Sequence, residues 1–482
     1  MEQKAGAQIG KRAFIQSLAI LFVLMMIAGI LTLVIPAGQY ARIQVDGRET
    51  INPTSFRLID HPDYPIWRWF VAPIEVLGSS SGLTVIVIII VLFFAGGAFA
   101  VMDKTGTLQA FIGRIVRQFS GRKYTLLWMV CLAFMFLGAT LGTFEEVVLL
   151  VPLMIALAYT LGWDALVGLG MSILATNMGF SAAITNPYTL GVSQQLAGLP
   201  LFSGAWFRII IFISIYFIFM FFLSGYAHKI DKDPKKSLIF GEDLAEREKY
   251  KSMDTTFVTE NPKQNRAMNF FGLFIILIFI AMLSGPFIPA ISAYALPIVG
   301  ILFLIGGLGA GFLSGAGGRI VWKGLVEGLI GLAPSVPLIL MAASIRYIID
   351  RGGVTDTILH AAADPFTHLG AFPAAVVVYV LALGIEFFIA SGSAKAFLMM
   401  PIVLPLADLI GVTRQTAVLA YIFGDGFSNL AYPTNPVLLI SLGLTVVSYP
   451  KWLRWTAKLW LWVIIATVAF LGIAVAIKLG PF

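Results

Sequence analysis

Apolar runs of near-membrane length, separated by short polar stretches, set the pattern of this 482-residue chain. A helix needs about 18–20 apolar residues to cross a bilayer. Residues 14–36, 82–102, 204–226, 268–286, 293–313, 331–349 and 451–478 each read as one crossing. Two further pairs of runs, 124–138 with 146–161 and 372–388 with 395–410, form arms too short to cross singly, about 22 Å of helix for about 15 residues. They read as re-entrant hairpins spanning 124–161 and 372–410, since non-helical backbone at membrane depth survives only inside protein or beside a wet cavity. The runs 165–197 and 413–447 are interrupted at Thr185-Asn186-Pro187 and Thr434-Asn435-Pro436. Proline removes a backbone donor there, so both read as broken helices. Residues 103–123 and 353–366 are amphipathic and lie on the membrane surface in this reading. Residues 37–65 look strand-like or irregular, and the Trp-rich 66–77 looks interfacial.

The hairpin and its broken helix occur twice. Adding 249 to Gly142 through Pro187 lands on Ser391 through Pro436 without a gap, and ten of the 46 pairs are identical. Apolar matches carry little weight, but Pro152/Pro401, Gly162/Gly411 and the repeated Thr-Asn-Pro are harder to reach by chance. Met102-Asp103-Lys104-Thr105-Gly106 is echoed by Ile349-Asp350-Arg351-Gly352-Gly353. Internal duplication of this kind is where carriers place their substrate sites. The units are 14–226 and 293–478, joined by a hydrophilic cytoplasmic linker, 227–267, and an extra helix, 268–286. One extra crossing inverts the second unit. The reading is an all-α polytopic membrane protein of about nine transmembrane helices plus two re-entrant hairpins in an inverted repeat.

Composition agrees: 59% of residues are hydrophobic and 12% charged, where a soluble domain has roughly 25% charged. The net charge of +7 reflects juxtamembrane Lys and Arg rather than nucleic-acid binding. Starting from a basic N-terminus (Lys4, Lys11, Arg12) inside the cell, the outer loop 287–292 has no Lys or Arg and the outer 350–371 only Arg351. This is the positive-inside pattern, and it places the protein in the cell (inner) membrane with a cytoplasmic N-terminus. The first apolar run is too long for a signal peptide. Cys131 is single, so no intrachain disulfide can form. The four histidines (His61, His228, His360, His368) show no metal spacing, and no nucleotide-binding or nucleophile-elbow motif appears.

Half-helix ends offer N–H groups to anions and free carbonyls to cations. The tips and breaks should therefore converge on the substrate. The first tip supplies Thr143, Glu145 and Glu146; the second, Ser391, Gly392, Ser393 and Lys395. The breaks supply Asn177 and Asn186, then Asp425, Asn429 and Asn435. Thr140, Thr185, Glu386 and Thr434 are candidates for a coupling Na⁺ or H⁺. The duplication sets Glu146 opposite Lys395, so the two tips would read opposite ends of a charged substrate. An α-amino acid, basic ones included, fits better than a dianion, which Glu145, Glu146 and Asp425 would repel. The alternative is a buried structural Glu–Lys pair. Glu386 reads equally as a proton site or a hydrogen-bonded packing group. Asp164 and Asp408 read as caps or interfacial charges, Arg346 as a snorkelling side chain, and the Gly-rich 306–318 as a helix-packing face.

Ser391-Gly392-Ser393-Ala394-Lys395-Ala396, Met400-Pro401, Pro405-Leu406-Ala407-Asp408, Arg414-Gln415-Thr416 and Phe423-Gly424-Asp425-Gly426 resemble the second-hairpin signature of the YfcC-type family. That family groups with DcuC-like four-carbon dicarboxylate carriers and ArcD-type basic amino-acid antiporters. Glu145-Glu146, Pro152 and Asn186-Pro187 resemble its first half. The resemblance implies the ion-transporter superfamily architecture: a homodimer whose transport domain moves elevator-fashion against a scaffold. The first tip, Ala-Thr-Leu-Gly-Thr, departs from the Ser-Asn-Thr tip of sodium-coupled relatives.

The expectation is a secondary transporter of amino acids such as arginine and ornithine, by exchange or ion coupling, without cofactor, enzymatic activity or nucleic-acid partner. A four-carbon dicarboxylate carrier is the alternative within the class. From other classes, a channel needs no acid and base at opposite tips, and a membrane enzyme would need a nucleophile–base pair.

Overall fold

The computed structural model describes residues 11–45, 48–52, 54–79, 82–119, 121–251, 261–284, 288, 291, 294–363 and 369–480. Lys4, His368, linker residues 252–260 and most of the 287–292 loop lie outside them. Eight described helices are long and apolar enough to cross a membrane, with shorter apolar helices at Leu18–Val34, Glu146–Thr160 and Ala371–Glu386. The protein is an all-α multi-pass membrane protein.

The first half begins with α1 (Lys11–Val34). Two antiparallel ribbons follow, β1 (Gly38–Gln39) with β4 (Arg57–Leu58) and β2 (Arg42–Val45) with β3 (Arg48–Ile51). Then come α2 (Trp67–Glu75), α3 (Gly82–Lys104) and the surface helix α4 (Thr107–Gln118). The first hairpin is α5 (Lys123–Leu141), a 3₁₀ turn at Glu146–Leu150 and α6 (Val151–Thr160). Its first arm has 19 residues, longer than the expected 15, because the helix runs through Gly138 and stops only where Gly142 turns left-handed (φ 68°). The first broken helix is α7 (Ala165–Leu169), a π segment and α8 (Ala175–Ala182), then after the break a second π segment and α9 (Val192–Leu196). α10 (Ala205–Lys232) ends the half.

The linker contains α11 (Leu244–Lys251). After α12 (Pro262–Ser284) come α13 (Ala295–Leu313), α14 (Gly318–Leu332), α15 (Ser335–Arg351) and the short α16 (Thr355–Ala363). The expected crossing at 331–349 is thus one part of a longer helical run, turned at Ala333-Pro334. Then come the second hairpin, α17 (Ala371–Glu386) and α18 (Gly392–Ile410), the second broken helix, α19 (Arg414–Ser428) and α20 (Pro436–Gly443), and α21 (Tyr449–Ala476).

Packing separates two groups of helices. In one, α1 and α2 lie on α15, while α13 and α14 lie on α3. A Cβ on Gly324 or Gly328 of α14 would run into the α3 backbone at Gly96, Gly97, Ala100 and Val101. Bare backbone here permits the close approach typical of membrane helices. In the other group α5 packs on α8, α17 on α19, and α8 on α19 across the centre, flanked by α10 and α21. The glycine-rich stretch of α13 does serve packing: Gly300, Gly307 and Gly311 face Val91, Ala98 and Val101. In the second half, α16 packs on β1 and is clamped by Tyr40 and by Arg42 at the start of β2. Asp356 accepts from the Tyr40 amide (2.9 Å) and from Arg42 (3.0 Å to each oxygen).

Candidate functional site

Each tip docks on a broken helix. At the first, Thr185 donates its amide to Ala139 O and its hydroxyl to Thr140 O, both 3.0 Å, while the Thr140 hydroxyl returns to Phe136 O (2.6 Å). Asn186 accepts from the amides of Tyr188 (3.0 Å) and Thr189 (3.3 Å), capping the second half-helix. Asn435 repeats this, accepting from Val437 N (3.0 Å) while donating to Asn429 Oδ1 (3.2 Å). The amide oxygens of Asn186 and Asn435, both expected to meet substrate, are therefore engaged with helix ends.

The second tip is ionic. α18 starts at Gly392 behind the N-cap Ser391, and one turn in, Lys395 is wholly buried. The alternative reading, a direct Glu146–Lys395 pair, is not what forms. The Lys395 ammonium pairs with Glu386 and with Asp425 (2.9 Å), because α17 and α19 are its immediate neighbours. Glu146 instead accepts from the Phe144 amide of its own turn (3.2 Å). Tyr421 donates to Gly392 O.

A cavity of about 550 Å³ opens between the two helix groups, in the size range of small-molecule sites. Phe144 and Glu145 of the first tip, Ser391 of the second, and Thr434 and Asn435 of the second break line it, facing Arg346, Tyr347, Asp350 and Arg351 of α15. Glu145 is exposed within it. Arg346 is 3.4 Å from Asp350, and both are half-exposed. The Arg351 guanidinium lies over the Tyr347 ring, 5.6 Å from its centroid.

Of the expected residues, Glu145, Ser391, Thr434 and Asn435 reach this cavity. Glu386, Lys395 and Asp425 form a closed cluster behind its wall. Asn177 is buried in the centre, and neither atom of its amide finds a partner among the described residues; the buried Thr143 hydroxyl is likewise unpartnered. Ser393 is half-buried in the first turn of α18. Asp164 caps α7 as expected (2.9 Å from Val167 N), and also accepts from Tyr226 (2.6 Å) and Ser237 (2.7 Å). Sequence reasoning missed Arg346 and Arg351 as site residues. The signal was there: Ile349-Asp350-Arg351 echoes Met102-Asp103-Lys104, and only the second copy faces the cavity. Lys104 pairs with Glu327 of α14 (2.6 Å).

Beside the cavity a narrow seam of about 20 Å³ separates α3 from the first hairpin and α20. Ile88, Val91 and Leu92 of α3 line it with Val148, Leu149 and Ile440, and Glu145 lines it too.

The family model described as "DcuC: C4-dicarboxylate anaerobic carrier" matches residues 14–476. The chain is 28% identical over 487 residues, 92% of each chain, to an Escherichia coli (strain K12) protein named "Putative basic amino acid antiporter YfcC". It is 24% identical over 483 residues, 92% of this chain and 93% of the other, to an uncharacterized protein of Haemophilus influenzae. Two solved structures overlay: the Alcanivorax borkumensis YdaH transporter (17% identity, 97% and 98% covered, TM-score 0.40) and Neisseria gonorrhoeae MtrF, of a class of antimetabolite efflux pumps (16%, 95% of each, TM-score 0.42).

Proposed function

This chain belongs to the DcuC family and is a multi-pass secondary transporter; on that premise we propose that it exchanges α-amino acids, basic ones such as arginine and ornithine first among them. One observation carries the reading: Glu145 and Arg346 line the same cavity. A carboxylate suits an ammonium or guanidinium, and a guanidinium binds a carboxylate through paired donors. The N-terminus of α18 at Ser391 adds a positive dipole end for the carboxylate. The name of the E. coli relative supports this choice. The acid and base reading the substrate are thus Glu145 and Arg346, in place of Glu146 and Lys395.

Arg346 and Arg351 together favour a second reading, a four-carbon dicarboxylate, which the family description also names. Under either, the hairpins and broken helices form the moving body, α1–α3 with α12–α15 the scaffold of an elevator, in a homodimer. The units 14–226 and 293–478 are its inverted repeats. The N-terminus is cytoplasmic and the membrane the inner one, as the Lys and Arg distribution supports.

The test is uptake of labelled arginine into proteoliposomes preloaded with ornithine, buffer or succinate. Ornithine-stimulated uptake, cut about tenfold or more by Glu145→Gln, is expected for one lost charge-assisted contact of about 1.5–3 kcal/mol. Succinate uptake with no arginine signal overturns the amino-acid reading in favour of the dicarboxylate.

A further inference from the structure

The cluster behind the cavity holds two carboxylates and one ammonium. Glu386 and Asp425 both pair with Lys395, and none of the three is more than 1% exposed at its side chain. With every group ionised the cluster carries one uncompensated negative charge. An isolated buried charge is costly enough that the group takes up a proton instead, or recruits a cation. Elsewhere the buried acids are balanced or bonded: Asp164 has Tyr226, Ser237 and Arg247 around it.

The packing favours the smaller ion. Lys395 already fills the cation position between the two acids. Gly392 lies so close to Asp425 that a Cβ there would sit 2.8 Å and 3.0 Å from its oxygens, and would also run into the Thr189 methyl. Beyond the lysine, Glu386 Oε1 and both Asp425 oxygens have no hydrogen-bond partner among the described residues, so they are free to hold an O–H. The other titratable groups facing the cluster are Tyr421, one turn before Asp425, and Tyr432, which senses Glu386 and Lys395. Neither adds a cation.

The cluster also adjoins the cavity. Phe387, Phe388 and Ser391 line the cavity, adjoining Glu386 and Lys395 in the chain, and Asn435, whose side chain lies near Glu386, lines it too. Substrate at Ser391 and Asn435 therefore lies one side chain from the acids. We infer that Glu386, Lys395 and Asp425 form a proton-binding site coupled to substrate occupancy. A proton from cavity water forms one O–H bond on the carboxylate pair, the cluster passes from one net negative charge to neutral, and the same bond breaks when the cavity faces the other side. Because the two acids share Lys395, the proton belongs to the pair rather than to one residue.

The inference rests on the transport reading above, and two readouts keep the two separable. First, proteoliposomes with an internal pH dye report protons moved per labelled arginine in net uptake. A ratio near one is expected for the wild type, and any flux left in Glu386→Gln or Asp425→Asn carries none. Second, infrared difference spectra of the purified protein across an acid–base titration should show a carboxylic-acid band that each of those variants alters and Glu145→Gln leaves in place. Arginine carried with no accompanying proton overturns the inference and spares the transport reading. Proton-independent uptake that requires Na⁺ overturns it in favour of a sodium site. If neither arginine nor succinate moves, the transport reading fails, and the band, present or absent, still decides the proton site.

Discussion

Replacing Lys395 by Met would leave Glu386 and Asp425 buried together without their ammonium. The magnitude follows from the geometry. Unit charges 2.9 Å apart attract by about 6 kcal/mol at an effective dielectric constant of about 20. Part of that is set against the desolvation of the lysine, which the methionine no longer requires. Breaking one side of a buried ion pair costs about 3–5 kcal/mol in practice, and the second carboxylate places this variant toward the upper end. The cost should also depend on pH. The orphaned acids escape it by taking up protons, so Lys395→Met should be least stable in alkaline solution and approach the wild type as pH falls. Unfolding of the purified protein by SDS in mixed micelles, at pH 5.5 and 8.5, measures this. The triple variant Glu386→Gln, Lys395→Met, Asp425→Asn, which holds no charge to strand, should recover most of the loss. A single variant within about 1 kcal/mol of wild type at pH 8.5, or a triple no more stable than the single, refutes the reasoning.

Two other perturbations are read from the packing and the linker. Gly328→Ile drives a branched side chain into the α3 backbone at Gly96 and Gly97 and should cost about 1–3 kcal/mol or more, seen as loss of a monodisperse peak on mild heating; Gly225→Ala, with open space around it, should change nothing. In the linker, burial pushes Asp243 up to about 7, against the lowering effect of Arg247 2.9 Å away. The folded state then holds a proton that the unfolded state releases between about 4 and 7, so this contribution is fully present in acid and is lost as pH rises through 7. Protection factors at 233–251, corrected for the base-catalysed intrinsic rate, should be higher at pH 5.5 than at pH 8, and Asp243→Asn should flatten the difference; equal protection factors in the wild type at both values contradict it.

Much of the hairpin and broken-helix layout was legible because it is written in local chemistry. Pro187 and Pro436 open fresh half-helices behind their asparagine caps, and Gly142 and Gly411 end helices in the left-handed conformation, so the breaks could be placed within a few residues. Helix α14 was not legible. Its apolar run is cut by Arg319, Lys323, Glu327 and four glycines, so the pattern assigns it to no crossing, and only the close approach of Gly324 and Gly328 to the α3 backbone shows why it is a helix. The ionic partnerships were hidden for a similar reason. The duplication aligns Lys395 with Glu146, but alignment says nothing about which face of α18 turns inward. In the structure that face meets α17 and α19, so the lysine is used within its own half. Arg346 shows the reverse case: by sequence it stands near the end of an apolar helix, and only the cavity distinguishes a site residue from one reaching for water.

The seam beside α3 bears on how such a machine could run. Its walls are aliphatic, and at about 20 Å³ it has the room of a single water but none of the polar partners that would keep one there. A joint of this kind is dry and has no ratchet. Among the described residues no hydrogen bond or ion pair joins Ile88, Val91 or Leu92 to the opposite wall, so displacing the first hairpin and α20 along α3 would break none there, and Glu145 is the charged residue that lines the seam. Under the elevator proposed above, the stiff, branched faces of Ile88 and Val91 would make α3 the rail, and Glu145 at the seam would be the brake that a substrate's cation releases by covering it.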